Sequence, residues 1–218
     1  MIEYPTIPYW NRGILNTPIY AFDKLDGSNV RCEWSRKRGW HKFGTKKMRI
    51  DESDQVFGQS VPTFLAKYGD PLDKFFRKAK AYRNADSMTV FVEYFGPKSF
   101  AGYHVPGDEM DVVLFDVVHP HDGFVFPKVF IHDFEQFGIP RLIYYGNLNK
   151  SFVNAVKLGE YDVKEGVICK GVRHFRGQQE VWRVKVKTRA WFDSLRQLGE
   201  DKLLEELNGD LSELELAV

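Results

Sequence analysis

Residues 19–34 read IYAFDKLDGSNVRCEW, and the fold can be traced outward from this stretch. Residues 19–24 and 29–34 are rich in apolar side chains or alternate between apolar and polar ones, and Asp26-Gly27 separates the two runs. Two such runs on either side of a turn dipeptide predict two strands joined by a turn. Lys24 is thereby predicted at the end of a strand.

The rest of the chain mixes strand and helix patterns. Runs of strand length that are β-branched or aromatic lie at residues 40–43, 88–95, 111–118, 142–145, 167–170 and 181–187. Helical spacing of apolar side chains occurs at residues 61–83, which Pro71 divides into two helices, at 129–137, at 151–158 and from 191 onward with a break at Gly209. Hairpins interspersed with helices predict an α+β domain with mostly antiparallel sheets and a central cleft.

The length and the apolar content of the chain fit one large domain with a small appendage. The chain has 218 residues, 43% of them apolar, which is enough for a substantial core. We place the main domain at residues 1–190 and a short acidic, helical appendage at 191–218.

The net charge is only +1, but residues 31–49 and 164–189 each hold eight Lys or Arg, so both stretches are suited to binding a polyanion.

Cysteine usage and hydropathy bear on the compartment. Cys32 and Cys169 lie far apart and match no zinc or redox spacing, which predicts two reduced thiols in an intracellular setting. No apolar run reaches the length of a membrane span, and the N-terminus shows no signal-peptide pattern. We therefore expect a soluble cytoplasmic protein.

Five short motifs that could carry chemistry follow one another along the chain. In order they are Lys24-Leu25-Asp26-Gly27-Ser28-Asn29, Phe91-Val92-Glu93-Tyr94-Phe95-Gly96, Leu114-Phe115-Asp116, Glu165-Gly166-Val167 and Lys185-Val186-Lys187. A lysine amine that attacks a phosphate must be partly deprotonated, and nearby cations favour this. Lys185 and Lys187 alternate along a strand, so their side chains share one face and are candidates for those cations.

The ordered motifs resemble those of ATP-dependent RNA ligases of the bacteriophage type, in the superfamily of covalent lysine nucleotidyltransferases. The resemblance covers about residues 4–189, and the hexapeptide from Lys24 to Asn29 matches the first signature throughout. DNA ligases of the superfamily more often have arginine where Asn29 stands, which favours RNA. The resemblance implies a nucleotidyltransferase domain with an ATP cleft, and host cytoplasm as the setting if a phage encodes the chain.

By the same resemblance, four residues perform the chemistry. Lys24 is the nucleophile that attacks the α-phosphate of ATP, releases pyrophosphate and holds AMP as a phosphoramidate. Glu165 is tied to metal-assisted adenylylation, with Mg²⁺ (or Mn²⁺) as the ion. Lys185 and Lys187 hold the α-phosphate, and their positive charge would stabilise the charge that develops at phosphorus.

Five further residues are implied to bind the nucleotide. Phe115 matches an aromatic on which the adenine stacks, although core packing explains it as well. Glu93 resembles a carboxylate near the ribose, and Asn29 a polar contact near the departing pyrophosphate. Gly27 allows a close backbone approach, and Asp26 orients Lys24 or a metal, or simply belongs to the turn.

Contacts with the nucleic acid are less well defined by the motifs. RNA ligases usually place a substrate-contacting arginine some twenty residues after the nucleophile, where this chain has Lys46, Lys47 and Arg49. Arg173 and Arg176 are further candidates, and an exposed hairpin with solvated charges is an equal alternative. The pattern His119-Pro120-His121 predicts a loop rather than a metal site.

Together these features predict an ATP-dependent RNA ligase that acts in three steps on RNA with 5′-phosphate and 3′-hydroxyl ends. The steps are adenylylation of Lys24, transfer of AMP to the 5′-phosphate, and attack by the 3′-hydroxyl. The alternatives are a DNA nick ligase, an enzyme that adenylylates ends without sealing them, and an mRNA-capping guanylyltransferase. A nucleic-acid-binding module without catalysis is the non-enzymatic alternative.

Overall fold

The computed structural model describes residues 2–95 and 110–199. The chain divides into two compact units, one formed by Met1–Pro5 and Asp26–Ile139 and the other by Thr6–Leu25 and Pro140–Val218. We call them the six-stranded unit and the four-stranded unit, after the sheet that each contains. The named strands of both sheets pair antiparallel throughout.

Groups of one to four strands are separated by helices along the chain. The strands are β1 (Pro18–Asp23), β2 (Ser28–Ser35), β3 (Gly39–Gly44), β4 (Arg49–Ile50), β5 (Ser87–Phe95), β6 (Asp111–His119), β7 (Gly123–Phe124), β8 (Leu142–Asn147), β9 (Gly166–Phe175) and β10 (Gln178–Lys187). The helices are α1 (Ser60–Phe64), α2 (Asp70–Lys78), α3 (Pro127–Phe134), α4 (Lys150–Lys157) and α5 (Arg189–Leu198). Short 3₁₀ turns lie at Arg12–Ile14 and Glu135–Phe137.

The six-stranded unit is held together by aromatic side chains. Its sheet has the order β4-β3-β2-β5-β6-β7. Trp34 on β2 and Phe76 on α2 are fully buried, with ring centroids 5.5 Å apart. The indole Nε1 of Trp34 donates to Asp73 at 2.6 Å, so burial of the ring leaves its polar atom satisfied.

The helical region before β5 differs from its prediction. The sequence predicted two helices divided at Pro71, but α1, a π-helical turn at Leu65–Gly69 and α2 follow one another without interruption. Pro71 lies in the first turn of α2. The π-helical turn directly before Pro71 changes the backbone hydrogen-bonding pattern at the residue that has no N–H, so the chain stays helical through the proline.

The four-stranded unit has the order β10-β9-β1-β8 and a mainly aliphatic core. Alternate residues of β1, β9 and β10 point to one side of this sheet, where α4 covers them; the buried set includes Ile19, Ala21, Val153, Val156, Val167, Cys169, Val184 and Val186. The side chain of Asn149 accepts the backbone N–H of Phe152 at 2.8 Å and so caps the start of α4.

The predicted α+β class with antiparallel sheets is confirmed, but the hairpin predicted around Asp26-Gly27 is wrong. β1 and β2 do not form a hairpin: β1 pairs with β8 and β9, whereas β2 pairs with β3 and β5. The expected turn at Asp26-Gly27 is therefore a crossing from one sheet to another. The boundary predicted at residue 190 stays a prediction, and the part of the appendage after Gly199 lies outside the described residues.

Phe76→Ala should lower the free energy of unfolding by about 3–5 kcal/mol, since it empties a fully buried site between Trp34, Tyr82 and Phe134. Thermal or urea unfolding measures the change. Phe175→Ala is the matched control, because that ring is 49% exposed and its loss should cost little. Equal losses for the two variants would contradict this description of the core.

Candidate active site

The end of β1 places Lys24 next to Glu165. β1 pairs with β9 so that Asp23 lies opposite Val167, and the backbone N–H of Lys24 then donates to the carbonyl of Gly166 at 2.9 Å. Lys24 therefore continues the line of the sheet by one residue beyond the strand. Its position is fixed by backbone hydrogen bonds, independently of its side chain.

The Glu165 carboxylate connects two lysines that the sequence had singled out. Lys24 Nζ lies 2.6 Å from Oε1 of Glu165, and Lys187 Nζ hydrogen-bonds the same oxygen. The side chains of Glu165 and Lys187 are 3% and 1% exposed, whereas that of Lys24 is 23% exposed. Two buried charges are thus paired, while the candidate nucleophile keeps access to solvent.

Lys187 reaches this position from the end of β10. It lies directly opposite Gly166 in the β9–β10 ladder, and the next residue, Thr188, donates its backbone N–H to the Glu165 carbonyl at 3.0 Å. The Lys187 ammonium also lies 5.0 Å from the ring centroid of Trp191 on α5. Thr188 caps α5 by accepting the Trp191 N–H at 3.1 Å, so the helix start holds that ring in place.

Lys185 lies two residues earlier on β10, on the same face of the sheet as Lys187. Its ammonium stands 4.1 Å from the ring centroid of Tyr9. The segment around Tyr9 runs along β10, since Lys185 donates its N–H to the Pro8 carbonyl and accepts from the Trp10 N–H. The structure therefore brings Lys24, Glu165 and Lys187 into contact, and Lys185 lies on the same face of β10 as Lys187, against Tyr9.

Gly166 is a positioning residue whose role the sequence did not reveal. Its φ is +147°, and a Cβ at this residue would lie 2.1 Å from the Val186 carbonyl oxygen and 2.7 Å from Lys187 Cα. Only glycine permits this close approach of β9 to β10. The approach is what brings Glu165 and Lys187 together.

Asp23 and Arg141 form a second charged pair next to Glu165 that the motifs did not include. Arg141 Nη2 lies 3.5 Å from Asp23 Oδ2, and Arg141 also binds Asp162. Burial raises the pKa of Asp23, and the negative charges of Asp162 and Glu165 raise it further, whereas Arg141 lowers it. No local sequence pattern predicts this cluster, because its members are brought together by the pairing of strands.

Most nucleotide-binding candidates lie in the six-stranded unit. The predicted hexapeptide is divided after Leu25, so Asp26, Gly27 and Asn29 belong to this unit. Asn29 on β2 is directly opposite Glu93 on β5. A Cβ on Gly27 would lie 2.6 Å from the Tyr94 carbonyl oxygen, so glycine is required here by the closeness of β5.

Phe115 lies at a β-bulge in β6. Phe91 pairs with Asp116 and Val92 pairs with Leu114, so Phe115 is the extra residue between them. Its ring is partly exposed and makes an edge contact with Tyr4, at 5.1 Å between centroids. The Tyr4 hydroxyl donates to Asp116 at 2.6 Å, and this buried bond holds the tyrosine against Phe115. Sequence reasoning missed Tyr4.

The basic residues that are candidates for nucleic-acid contact are all exposed, and they belong to two different units. Lys46 and Lys47 lie between β3 and β4, and Arg49 is the first residue of β4; all three belong to the six-stranded unit. Arg173 lies near the end of β9 and Arg176 in the β9–β10 turn of the four-stranded unit, and Arg173 pairs with Glu180 at 2.6 Å.

The histidine pair belongs to a turn. His119 Nδ1 lies 2.9 Å from Asp122 Oδ2 and within 3.4 Å of the backbone nitrogens of His121 and Asp122. Within residues 2–95 and 110–199, no group of three or more His, Cys, Asp or Glu side chains has a metal-binding arrangement. No helix in the same residues is both long and apolar enough to cross a membrane.

RNA ligases of known structure share this fold. Naegleria gruberi RNA ligase with PPi aligns at a TM-score of 0.65 and 12% identity, over 90% of this chain and 58% of that one. A variant of that enzyme with ATP and Mn aligns at 0.61 and 14%, over 88% and 59%. An archaeal ATP-dependent RNA ligase aligns at 0.60 and 15%, over 89% and 51%.

These likenesses show that the chain has a fold found in RNA ligases of known structure. No protein-family model and no curated protein sequence matches the chain. The chain spans less than two thirds of the length of these neighbours.

Gly166→Ala should lower the free energy of unfolding by about 3 kcal/mol or more, because it adds a Cβ overlap with β10 to a strained φ. Gly177→Ala is the matched control: its φ is +80°, but a Cβ there meets nothing within 4 Å, so only about 1–2 kcal/mol should be lost. Thermal unfolding compares the two. Equal destabilisation would show that the contact between β9 and β10 at Gly166 is not close.

Proposed function

We propose that the chain is an ATP-dependent RNA ligase that forms a lysyl-AMP on Lys24, transfers the AMP to an RNA 5′-phosphate and joins that end to a 3′-hydroxyl. One observation carries the proposal: the buried Glu165 carboxylate binds the candidate nucleophile Lys24 and the cation Lys187 at a single oxygen. The fold shared with RNA ligases supports it.

In the first step, Lys24 Nζ attacks the α-phosphorus of ATP. A nitrogen–phosphorus bond forms, the bond from phosphorus to the pyrophosphate oxygen breaks, and pyrophosphate leaves. The Lys24 ammonium must first give up a proton, and Glu165 lies at hydrogen-bond distance to receive it. The positive charge of Lys187 at the same carboxylate opposes a second positive charge on Lys24, which favours the neutral amine.

Lys185 and Lys187 are proposed to bind the α-phosphate. Both lie on one face of β10, and each ammonium is held near an aromatic ring, Tyr9 or Trp191. Cations held in advance at the reacting phosphate stabilise the charge that develops in the transition state without further rearrangement.

The proposed cofactors are ATP and Mg²⁺, or Mn²⁺ in its place. Magnesium is commonly bound by one or two carboxylates together with substrate phosphates and water. Glu165 offers such a carboxylate beside Lys24, so the residues present fit an ion whose remaining ligands come from ATP and solvent. The ion would neutralise charge on the phosphates.

The adenosine is proposed to bind the six-stranded unit. The partly exposed ring of Phe115, turned by its bulge and supported by Tyr4, is suited to stacking with adenine. Glu93 and its cross-strand neighbour Asn29 offer polar groups for the ribose and the leaving phosphates, and Asp26 and Gly27 precede Asn29 in the chain.

The proposed substrate is RNA with 5′-phosphate and 3′-hydroxyl ends. Exposed Lys46, Lys47 and Arg49, and separately Arg173 and Arg176, are candidates for phosphate contacts. The bacteriophage type of the enzyme stays a prediction, as does the role of residues 191–218 as an appendage to the catalytic domain.

A cytoplasmic location is part of the proposal. Cys32 and Cys169 are free and fully buried. Burial raises the pKa of both thiols, so they should persist as unreactive thiols in a reducing compartment.

Lys24→Ala should abolish joining of nicked, 5′-³²P-labelled RNA in the presence of ATP and Mg²⁺, with a loss of at least about 10³-fold, since no nucleophile remains. The variant should still join RNA that already carries a 5′-AMP, because that substrate bypasses the first step. Lys128→Ala, at an exposed lysine on α3, is the control. Joining of unmodified RNA by Lys24→Ala would refute the proposal.

Phe115→Ala should raise the KM for ATP by about 5- to 100-fold, the range expected for loss of one base–aromatic stack. Phe115→Tyr keeps a flat aromatic ring, so its KM for ATP should stay close to that of the unchanged protein. Initial rates of adenylylation against ATP concentration measure the effect. An unchanged KM for the alanine variant would show that Phe115 is a packing residue only.

A further inference from the structure

The turn of the β9–β10 hairpin presents an aromatic ring and two guanidinium groups to solvent. Residues 172–179 are all exposed, and Phe175 retains 49% of its accessible surface. The guanidinium carbons of Arg173 and Arg176 lie 5.6 and 5.1 Å from the Phe175 ring centroid. We call Arg173, Phe175 and Arg176 the hairpin tip.

The backbone conformation of the turn at the hairpin tip is energetically unfavourable for an arginine. Arg176 and Gly177 have φ values of +50° and +80°, and they form the two-residue turn between Phe175 and Gln178. Tight hairpin turns of this kind favour Asn-Gly, because both central residues need positive φ. An arginine at the first position is strained compared with Asn or Gly, and such an outlier at an exposed site points to a function of the side chain.

We propose that the hairpin tip binds single-stranded RNA, with a base stacked against Phe175 and the flanking phosphates in contact with Arg173 and Arg176. This inference rests on the proposed RNA ligase function and assigns part of its substrate contact. Single-stranded nucleic acid is typically recognised by aromatic rings and arginine planes for the bases, together with positive charge for the backbone. The exposed basic turn of the six-stranded unit lacks such a ring, since Met48 stands between Lys47 and Arg49.

The length of β9 determines which part of the RNA reaches the tip. β9 has 10 residues, so Gly166 and Phe175 at its two ends are about 30 Å apart. Lys24 hydrogen-bonds the backbone of Gly166, so the tip lies roughly this distance along the strand from the nucleophile's backbone. A stacked strand rises about 3.4 Å per nucleotide, so the tip contacts RNA about nine nucleotides from the junction, or fewer if the strand is extended.

Direct binding of 5′-fluorescein-labelled single-stranded RNA tests the stacking. Phe175→Ala should weaken binding about 5-fold or more by fluorescence anisotropy, whereas Phe175→Trp should retain it. Val172→Ala, which truncates another exposed apolar residue of the same hairpin, should leave the affinity unchanged. Equal affinities for unchanged protein and Phe175→Ala would overturn the inference.

Arg176→Gly separates the function of the arginine from its effect on the fold. Glycine adopts a positive φ without strain, so the melting temperature should stay the same or rise. RNA affinity should fall, and the slope of log K against log salt should decrease in magnitude by about one, because one phosphate contact is lost. Unchanged affinity and slope, in a variant that is as stable as the parent, would show that Arg176 does not contact phosphate.

Substrate length gives a further test on the same variants. Phe175→Ala should reduce joining when the RNA arm on at least one side of the junction is about 20 nucleotides long. Joining should be unchanged when that arm is about 2 nucleotides long, which is too short for the span of about 30 Å whether the strand is stacked or extended. A defect independent of arm length on both sides would overturn the placement.

The outcomes distinguish this inference from the proposed function. If Lys24 is adenylylated in every variant but RNA affinity does not depend on Phe175 or Arg176, only the hairpin tip is wrong. If RNA binding depends on the tip but the unchanged protein forms no lysyl-AMP, the proposed ligase function is wrong and the binding surface stands.

Discussion

A single buried carboxylate determines the arrangement of the candidate site. Lys24 and Lys187 would repel each other if they approached without Glu165, and Glu165 would be strongly disfavoured in its buried position without them. Three chain segments meet at this group: the end of β1, the start of β9 and the end of β10. Gly166 allows the backbones to come close enough, and Trp191 on α5 packs against the Lys187 ammonium. Removing one member of such a buried set typically costs about 3–5 kcal/mol, so fold and site depend on the same contact.

Much of the fold could be predicted from local patterns, because strands and helices with one buried face have the periods of two and 3.6 residues that these geometries require. The strands β5 and β6 and the helix α4 were found near their observed bounds. The pairing of strands could not be predicted in this way. The turn dipeptide Asp26-Gly27 indicated a hairpin, but Gly27 serves a close approach to β5, and β1 and β2 belong to different sheets. Pro71 likewise suggested a break, but the chain stays helical from α1 through the π-helical turn into α2.

The candidate site likewise combines residues that local motifs identified with contacts that only the folded chain creates. Local motifs identified Lys24, Glu165 and Lys187, and the structure brings these three side chains together. The sequence suggested that nearby cations favour the neutral amine of Lys24 and that Asp26 orients it, whereas the structure pairs Lys24 with the Glu165 carboxylate, which Lys187 also binds. Tyr4 behind Phe115, Arg141 beside Asp23 and the approach at Gly166 depend on contacts between distant parts of the chain, so no motif contains them. The roles assigned to the nucleotide-binding residues remain proposals.

The most direct test of the central claim is the intact mass of the purified protein after incubation with ATP and Mg²⁺, followed by peptide mapping and then by addition of pyrophosphate. The account predicts a mass increase of one AMP, located on Lys24 next to the Glu165 carboxylate and removed by pyrophosphate. An adduct on another residue, or none with ATP, GTP or NAD in protein whose Lys24 is shown to be unmodified, would contradict it.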